Sequence, residues 1–363
     1  MATIALDASF IFDTNPTGIA TYSRRLMESL AQLDSAHRFL LCYRLSRIGK
    51  WRQFLRPADP RFSVRLFQRP LTFWLPWQAE IFHSLAQRPP AFRFQLEVVT
   101  IHDVFPITGA DYSTADFQRK FSRLLRESLA RAHRVLVLSE YTAGQVVRHC
   151  GVDRERIRVV PGGVDPPVDR MPPGACLRER GRLVGAGNEM LLTVGVVDNR
   201  KNLLNSLRAL QLLPERYRLV LAGGNGYGSQ AVHGFIRNQR LESRVQWLGY
   251  VPRSVLGTLY QAASALLFTS REEGFGFPML EAMSYGLPVV TSRISALPEV
   301  GGDAALYADP YDPRDIAAGA ARAVEDAELR QDLIRRGFAR ASQFTWKRTA
   351  ELTLKVYEEL LGA

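Results

Sequence analysis

Along the first half of the chain, short apolar runs alternate with longer segments whose apolar residues recur every three or four positions. TIALDAS precedes GIATYSRRLMESLAQL; then come RFLLCYR, SVRLF, EIFHSL and EVVTIHD, the stretch FQRKFSRLLRESLARA, and RVLVLSE. Nearly continuous apolar runs are strands buried on both faces, and the 3.6-residue periods between them are helices that cover the sheet. Such alternation predicts a mostly parallel sheet. A second alternation starts at LLTVGVV, residues 191–197, and runs through NLLNSLRALQLL, YRLVLAGG, VQWLGY, SVLGTLYQAA, ALLFTS, a helix after residue 276 and PVVTS. The stretch between them, Pro161 to Met190, is rich in Pro and Gly and lacks sustained periodicity, so it reads as a linker and the edge of a second domain. The pattern predicts an α/β protein of two Rossmann-like, doubly wound domains, residues 1–165 and 166–345. The amphipathic FTWKRTAELTLKVYEELLGA adds a helix over residues 346–363. Doubly wound sheets keep their ligands beyond the carboxyl ends of the strands, so two such domains facing each other would enclose a substrate in a central cleft.

A length of 363 residues exceeds the usual single core and agrees with two domains. No run of about 18 apolar residues occurs, so no transmembrane helix is predicted. MATIALDASFIFD lacks a basic leader region and carries Asp7 and Asp13 within its apolar stretch, which argues against a signal peptide and for cytoplasmic residence. Cys42, Cys150 and Cys176 are odd in number and form no CxxC, which suits a reducing compartment and speaks against a cysteine zinc site. The net charge of +11 asks for a partner or a reason. Nucleic acid is not expected, because zinc-finger spacing, RNP-like aromatics and basic-zipper heptads are all missing. From Tyr43 to Trp77 the chain carries Arg44, Arg47, Lys50, Arg52, Arg56, Arg61, Arg65 and Arg69, interleaved with Trp51, Phe54, Phe62, Phe67, Phe73, Trp74 and Trp77. Two readings fit: docking on an anionic membrane, peripheral to the inner face of the plasma membrane, or a solvated arginine face with its aromatics turned into the core.

The stretch EGFGFPMLEAMSYGLPVV, Glu273 to Val290, holds the clearest chemistry. Glu273 and Glu281 flank a Gly-Phe-Gly turn and a proline suited to a first helical turn, so Glu281 should lie near that first turn and Glu273 in the loop before it. Bare backbone at Gly274 and Gly276, a helix N-terminus that favours phosphate, and carboxylates that accept from sugar hydroxyls make a site for a phosphorylated, polyhydroxylated ligand.

Glu273, Gly274, Phe275, Gly276, Pro278, Leu280, Glu281, Ala282, Gly286, Pro288 and Val289 together closely resemble the retaining glycosyltransferases of family 4, whose signature is Glu, seven residues, Glu. The resemblance covers nearly the whole chain and implies the GT-B fold. It implies an acceptor-binding N-terminal domain, a nucleotide-sugar-binding C-terminal domain, and a last helix that packs back on the first.

A nucleotide-sugar donor gains negative charge on its pyrophosphate as the glycosidic bond breaks, so positive charge or a metal is needed there. No Asp-x-Asp occurs, and no His/Asp/Glu cluster has metal-ligand spacing; neither metal nor cofactor is expected. GVVDNRKNL instead supplies Gly195 at a turn and Arg200 and Lys201 before a helix, resembling the family's phosphate clamp. Many members carry arginine directly after the glycine; here that residue is Val196, so the charge falls to Arg200 and Lys201, and Lys201 is the more direct match. The resemblance brings Gly18 near the donor phosphate, although a glycine there is equally a plain helix start. His102, at the end of EVVTIHD, becomes a sugar contact, while His83, in similar geometry, is either that or a satisfied buried histidine. Gly223 follows a strand in LAGGNGYG, and Tyr250 and Val251 end one where the family holds the base. Glu281 is implied to bind ribose and Glu273 the sugar, with Gly274, Phe275, Gly276 and Leu280 completing the donor set.

The resemblance further implies retention by front-face attack, with a donor phosphate oxygen taking the acceptor's proton and no protein nucleophile. GVVDNRKNL, VVTIHDVFP and LPEVGGDAALYADP look most like mannosyltransferase-type members that build bacterial surface polysaccharides. GDP-mannose is therefore the favoured donor, a UDP-sugar or deoxysugar nucleotide stays open, and the acceptor is a glycan or lipid-linked glycan. A nucleotide-sugar epimerase or phosphorylase, or a non-catalytic sugar-nucleotide-binding scaffold, are the alternatives. A dehydrogenase is poorly supported because no G-x-G-x-x-G follows the first strand.

Overall fold

The computed structural model describes residues 1–12, 18–55, 57–67, 78–90 and 92–362. They form two compact units. The first comprises residues 1–108, 115–163 and 344–363, and the second comprises residues 109–114 and 164–343.

In the first unit, β1 (Thr3–Asp7), β2 (Arg38–Arg44), β3 (Phe62–Phe67), β4 (Ile81–Ser84), β5 (Leu96–Ile101), β6 (Arg134–Val137) and β7 (Ile157–Val159) make one parallel sheet ordered β3-β2-β1-β4-β5-β6-β7. Its strands are apolar on both sides because helices cover both faces. Val99, Ile101, Val135 and Val137, for example, pack with Phe121 and Leu125 of the helix Ala115–Arg131. The order reverses between β1 and β4, where Leu6 pairs with His83, so chemistry in this unit should gather beyond Asp7 and Ser84.

The second unit repeats the plan. Strands β8 (Glu189–Val194), β9 (Tyr217–Ala222), β10 (Val245–Gly249), β11 (Ala265–Phe268), β12 (Val289–Ser292) and β13 (Leu306–Ala308) run parallel in the order β10-β9-β8-β11-β12-β13. Leu191, Leu219, Leu267 and Val290 of the sheet pack with Leu207 and Ile316 of flanking helices. Here the reversal falls between β8 and β11, whose carboxyl ends lead to Gly195 and Ser270. The chain thus has the two parallel-sheet, Rossmann-like α/β halves that its pattern predicts.

Several elements are absent from the sequence reading, among them β7, β13 and the helices Glu140–Cys150, Ser229–Asn238, Pro313–Glu325 and Ala327–Ala341. The stretch that lacks periodicity contains a helix, Pro173–Val184, opened by a proline in its first turn and followed by Gly185 at a φ of 87°. None of its residues is buried, so no apolar stripe betrays it. Arg180 fastens it instead, donating to the Ala262 carbonyl at 2.8 Å and to Glu189 at 3.1 Å.

The closing helix, Trp346–Leu361, is capped by the Thr345 hydroxyl, which accepts from the Arg348 amide, and belongs to the first unit. Thr349 donates to the Pro161 carbonyl at 2.7 Å, and Glu359 meets both Arg134 and Arg158. Gly163 lies so close that a Cβ there would stand 2.3 Å from the Trp346 nitrogen.

The basic, aromatic stretch divides. Phe54 stacks on Tyr43 at 4.0 Å, Phe62 on Phe39 at 4.7 Å, and Phe67 meets Phe82 edge-on, so these three aromatics face the core. Arg61 is structural too, donating to the Leu33 and Ser35 carbonyls and pairing with Asp59. Ile48 and Trp51, in the 3-10 segment Leu45–Gln53, remain 46% and 49% exposed beside Arg47, Lys50 and Arg52. Arg56, Arg69, Phe73, Trp74 and Trp77 lie outside the described residues, as does Asp13. Among the described residues no helix is long and apolar enough to cross a membrane.

Candidate active site

Beyond β8 the chain turns at Gly195 and enters a single 3-10 turn, Asn199–Lys201. Asp198 caps it by accepting from the Lys201 amide at 3.0 Å, and Asn202, at a φ of 60°, turns the backbone into the helix Leu203–Leu212. Asn202 Nδ2 also donates to the carbonyls of Thr269 and Pro310, tying this turn to the end of β11. The chain after β11 therefore passes directly over Arg200 and Lys201.

Glu273 sits in that passing loop. Its Oε1 accepts from Lys201 Nζ at 2.6 Å and from the Ser270 hydroxyl at 2.7 Å, and its Oε2 lies 2.7 Å from Arg200 Nη1. Arg200 Nη1 also donates to the Glu272 carbonyl at 2.6 Å, and Lys201 Nζ lies 4.6 Å from the Phe268 ring centre. Burial alone would raise the Glu273 pKa; Arg200, Lys201 and Ser270 outweigh it and hold the carboxyl at about 2. Burial lowers the Lys201 pKa, against the pull of Glu273. The result is an anion whose charge is firmly fixed and whose basicity is low.

The bare backbone predicted here has two causes. At Gly223 a Cβ would lie 1.8 Å from the Gly195 carbonyl oxygen, so the two strand ends meet main chain to main chain, and a Cβ on Gly195 would press on Lys201 Cε at 3.1 Å. Gly276 instead has a φ of 104° and begins the helix Phe277–Ser284 with no side-chain cap. Gly274, Phe275 and Leu280 are buried around that helix start. Val196 is 49% exposed.

Glu281 occupies a second polar cluster. It is the fifth residue of its helix, accepts from the Tyr260 hydroxyl at 2.9 Å and lies 3.6 Å from Arg253, which also binds Asp165 at 2.6 Å. Burial raises its pKa, with Arg253 and Tyr260 opposing and Asp165 adding to the rise. Tyr250 is exposed and Val251 half-buried just past β10, where Trp247 donates to the Gly223 carbonyl at 2.8 Å. The two glutamates thus have opposite environments: one is pinned in its charged form, the other pushed towards neutrality.

In the first unit, Gly18 is the exposed first residue of the helix Gly18–Leu30. His102 follows β5, buried, with Nε2 at 2.9 Å from the Leu85 carbonyl and its ring edge-on to Tyr22. A carbonyl only accepts, so Nε2 carries the proton and Nδ1 is the acceptor of a neutral ring. Burial lowers its pKa to about 4, against the Leu85 bond. His83 is the satisfied buried histidine: Nδ1 lies 2.6 Å from the Tyr357 hydroxyl and Nε2 2.8 Å from Thr100 Oγ1. Ser270, Asp198, Asn202, Tyr260 and Arg253 were not singled out from the sequence. Ser270 and Asp198 had a signal, as the polar residue ending ALLFTS and a cap three before Lys201; Tyr260 and Arg253 had none.

Two doubly wound halves, with an acidic residue clamped at the switch point of the second, are the arrangement that a GT-B transferase is expected to have. The model for group 1 glycosyl transferases matches residues 180–340, and that for glycosyltransferase family 4 matches residues 16–167. The chain is 31% identical to the O-antigen chain mannosyltransferase B of Escherichia coli over 96% of this chain and 99% of that one. It belongs to this glycosyltransferase family. It is also 27% identical to the serotype-specific mannosyltransferase WbdA of Escherichia coli, over 73% of this chain but only 33% of that longer protein. Among solved structures, HepE of Anabaena in complex with UDP-glucose superposes with a TM-score of 0.76 at 19% identity over the whole of both chains. WaaG, a glycosyltransferase involved in lipopolysaccharide biosynthesis, does so at 0.72 and 17% identity over 99% of this chain and all of that one. The fold is GT-B.

Proposed function

We propose that this glycosyltransferase moves a mannosyl unit from GDP-mannose to a hydroxyl of a glycan or lipid-linked glycan, with retention of configuration and without a metal, in bacterial surface polysaccharide or glycolipid synthesis. The second unit binds the donor and the first the acceptor. Support for mannose comes from the likeness to an O-antigen mannosyltransferase along nearly the full length of both chains.

The observation that carries the mechanism is the occupancy of Glu273, whose two oxygens meet Lys201, Ser270 and Arg200. A carboxylate with a pKa of about 2 is a weak base and a weak nucleophile, so it suits neither proton abstraction nor a covalent glycosyl intermediate. It suits orienting the sugar and balancing oxocarbenium charge. Arg200 and Lys201 supply the positive charge that the departing diphosphate needs. The acceptor hydroxyl attacks the anomeric carbon on the face that the diphosphate leaves, and its proton passes to a phosphate oxygen. Gly18, Gly195, Gly223, Gly274 and Gly276 give the donor bare backbone. Tyr250 and Val251 border the base, Glu281 takes ribose hydroxyls, Phe275 and Leu280 shape the sugar pocket, and neutral His102 offers Nδ1 to the sugar.

Glu273→Ala and Lys201→Ala should each lower turnover at least ~100-fold with GDP-mannose and acceptor, the scale for removing a preorganised charged group. Near-wild-type rates in either variant overturn the assignment, and so does GDP-mannose consumption that needs no acceptor. The exposed Ile48 and Trp51 beside Arg47, Lys50 and Arg52 suit docking on an anionic, cytoplasmic leaflet. Binding to anionic liposomes should weaken in Trp51→Ala and at high salt; no co-sedimentation at low salt sinks this part.

A further inference from the structure

Two stretches of main chain in the second unit carry the proposed donor: Gly223 at the end of β9, and Tyr250 and Val251 past β10. On its β8 side, β9 stays paired beyond its last strand residue. The Gly195 amide donates to the Ala222 carbonyl at 3.0 Å and the Val197 amide to the Gly224 carbonyl at 2.9 Å, and Val197 forms an isolated bridge with Asn225. On its β10 side the pairing stops sooner. Trp247 lies opposite Leu221 and Gly249 opposite Ala222, so β10 advances two residues while β9 advances one. This is a β-bulge, with Gly249 at a φ of 67°. A bulge bends its strand and re-aims the residues that follow, here Tyr250 and Val251.

Gly223 lies one residue past the last pair with β10, and a side chain meets its carbonyl there: Trp247 Nε1 donates to it at 2.8 Å. The indole is itself fixed. It packs against the buried cluster that contains Leu219, Leu221 and Val232. His233, from the helix Ser229–Asn238, lies flat on it, with ring centres 4.0 Å apart and planes 8° apart. His233 Nε2 stands 3.0 Å from Asn225 Oδ1, on the same segment that bridges to Val197. A nucleoside diphosphate would place its base on one of the two stretches and its phosphates on the other. Such a joined ligand gains over its separate parts only while the two subsites keep the separation it spans. Past the bulge no paired ladder sets that separation, and the Trp247 indole crosses the gap.

We propose that Trp247 is a positioning residue for the donor: its indole N–H, braced by His233, ties the diphosphate stretch at Gly223 to the base stretch at Tyr250 and Val251 and fixes their spacing. Trp247 acts through these segments and does not itself touch the donor. The role rests on the donor reading above.

The test is a set of binding titrations of the full chain with GDP, guanosine and inorganic pyrophosphate, or with UDP and uridine if UDP is the nucleotide that binds. Trp247→Phe keeps an aromatic ring beside His233 and removes the N–H. It should weaken the nucleoside diphosphate about fivefold to tenfold, the factor of one neutral hydrogen bond, and leave the nucleoside and pyrophosphate each within about twofold of wild type. His233→Ala, at an exposed position, should weaken the diphosphate in the same selective way by a smaller factor, and it carries the test if Trp247→Phe does not fold. Pyrophosphate weakened as much as the diphosphate reduces Trp247 to a prop of the clamp, and a nucleoside weakened as much reduces it to a prop of the base stretch. Either result overturns the bridge, and so does unchanged diphosphate affinity in folded Trp247→Phe. A wild type that binds neither nucleotide overturns the donor reading itself.

Discussion

Glu273 and Glu281 look alike in the sequence and differ in what holds them. Glu273 is ringed by cations, whereas Glu281 depends on one phenol and a shared arginine. Under the proposed ribose contact of Glu281, the Tyr260 hydroxyl is a positioning group whose hydrogen bond opposes the rise in that carboxylate's pKa. A hydrogen bond to a charged group contributes about 1.5–3 kcal/mol, so Tyr260→Phe should raise the donor KM roughly tenfold or more with little change in kcat. Losing that bond also lifts the Glu281 pKa further, so donor binding should fall off at a higher pH than in the wild type as the solution is acidified. A variant with wild-type KM and an unmoved acid limb refutes this role. The Glu273–Lys201–Arg200 group was legible because its members sit in short motifs at strand ends. Tyr260 lies 21 residues before Glu281, on a helix whose apolar spacing reads simply as core, and only the fold brings the two together.

At the scale of elements, strand ends decide where the charges go. The ends of β8 and β9 touch through main chain alone, Gly223 against Gly195, and Lys201 rests on the same spot. In Gly223→Ala the added methyl meets a carbonyl oxygen that cannot swing aside. We expect about 3 kcal/mol of lost stability, a fall of roughly 6–12 °C in the unfolding temperature of a unit this size, together with weaker donor binding as Lys201 shifts. Gly224→Ala is the contrast, since nothing lies within 4 Å of a Cβ there, and its unfolding temperature should stay close to wild type. Equal melting of the two variants contradicts this account. The sequence presents these adjacent glycines as one turn, and which of them is sterically obligatory follows from a neighbour 28 residues away. The helix Pro173–Val184 was hidden for the opposite reason: it is held by Arg180 and by its end residues, not by an apolar stripe, so no period announces it. The strands were legible because each is buried on both faces and bounded by turn residues.

At the scale of the molecule, the two sheets share one plan but differ in how their chain segments are laid out. The second unit is built almost entirely from one continuous stretch, residues 164–343. The first is completed only by the closing helix, whose Tyr357 reaches the buried His83 across 274 positions of sequence. A ribosome makes these parts in order, and domains generally fold as units during synthesis. The first sheet should therefore emerge with the His83 ring uncovered by Tyr357, and remain so while the whole second unit is made. Ribosome-stalled chains in which an added linker carries residue 343 clear of the ribosome should yield a protease-resistant second unit and a protease-sensitive first unit, which becomes resistant once residues 346–361 are added ahead of the linker. Protection of the first unit before that point contradicts this order. The second unit would then be complete before the first, whose His83 and neighbouring apolar residues stay open to chaperones throughout that interval.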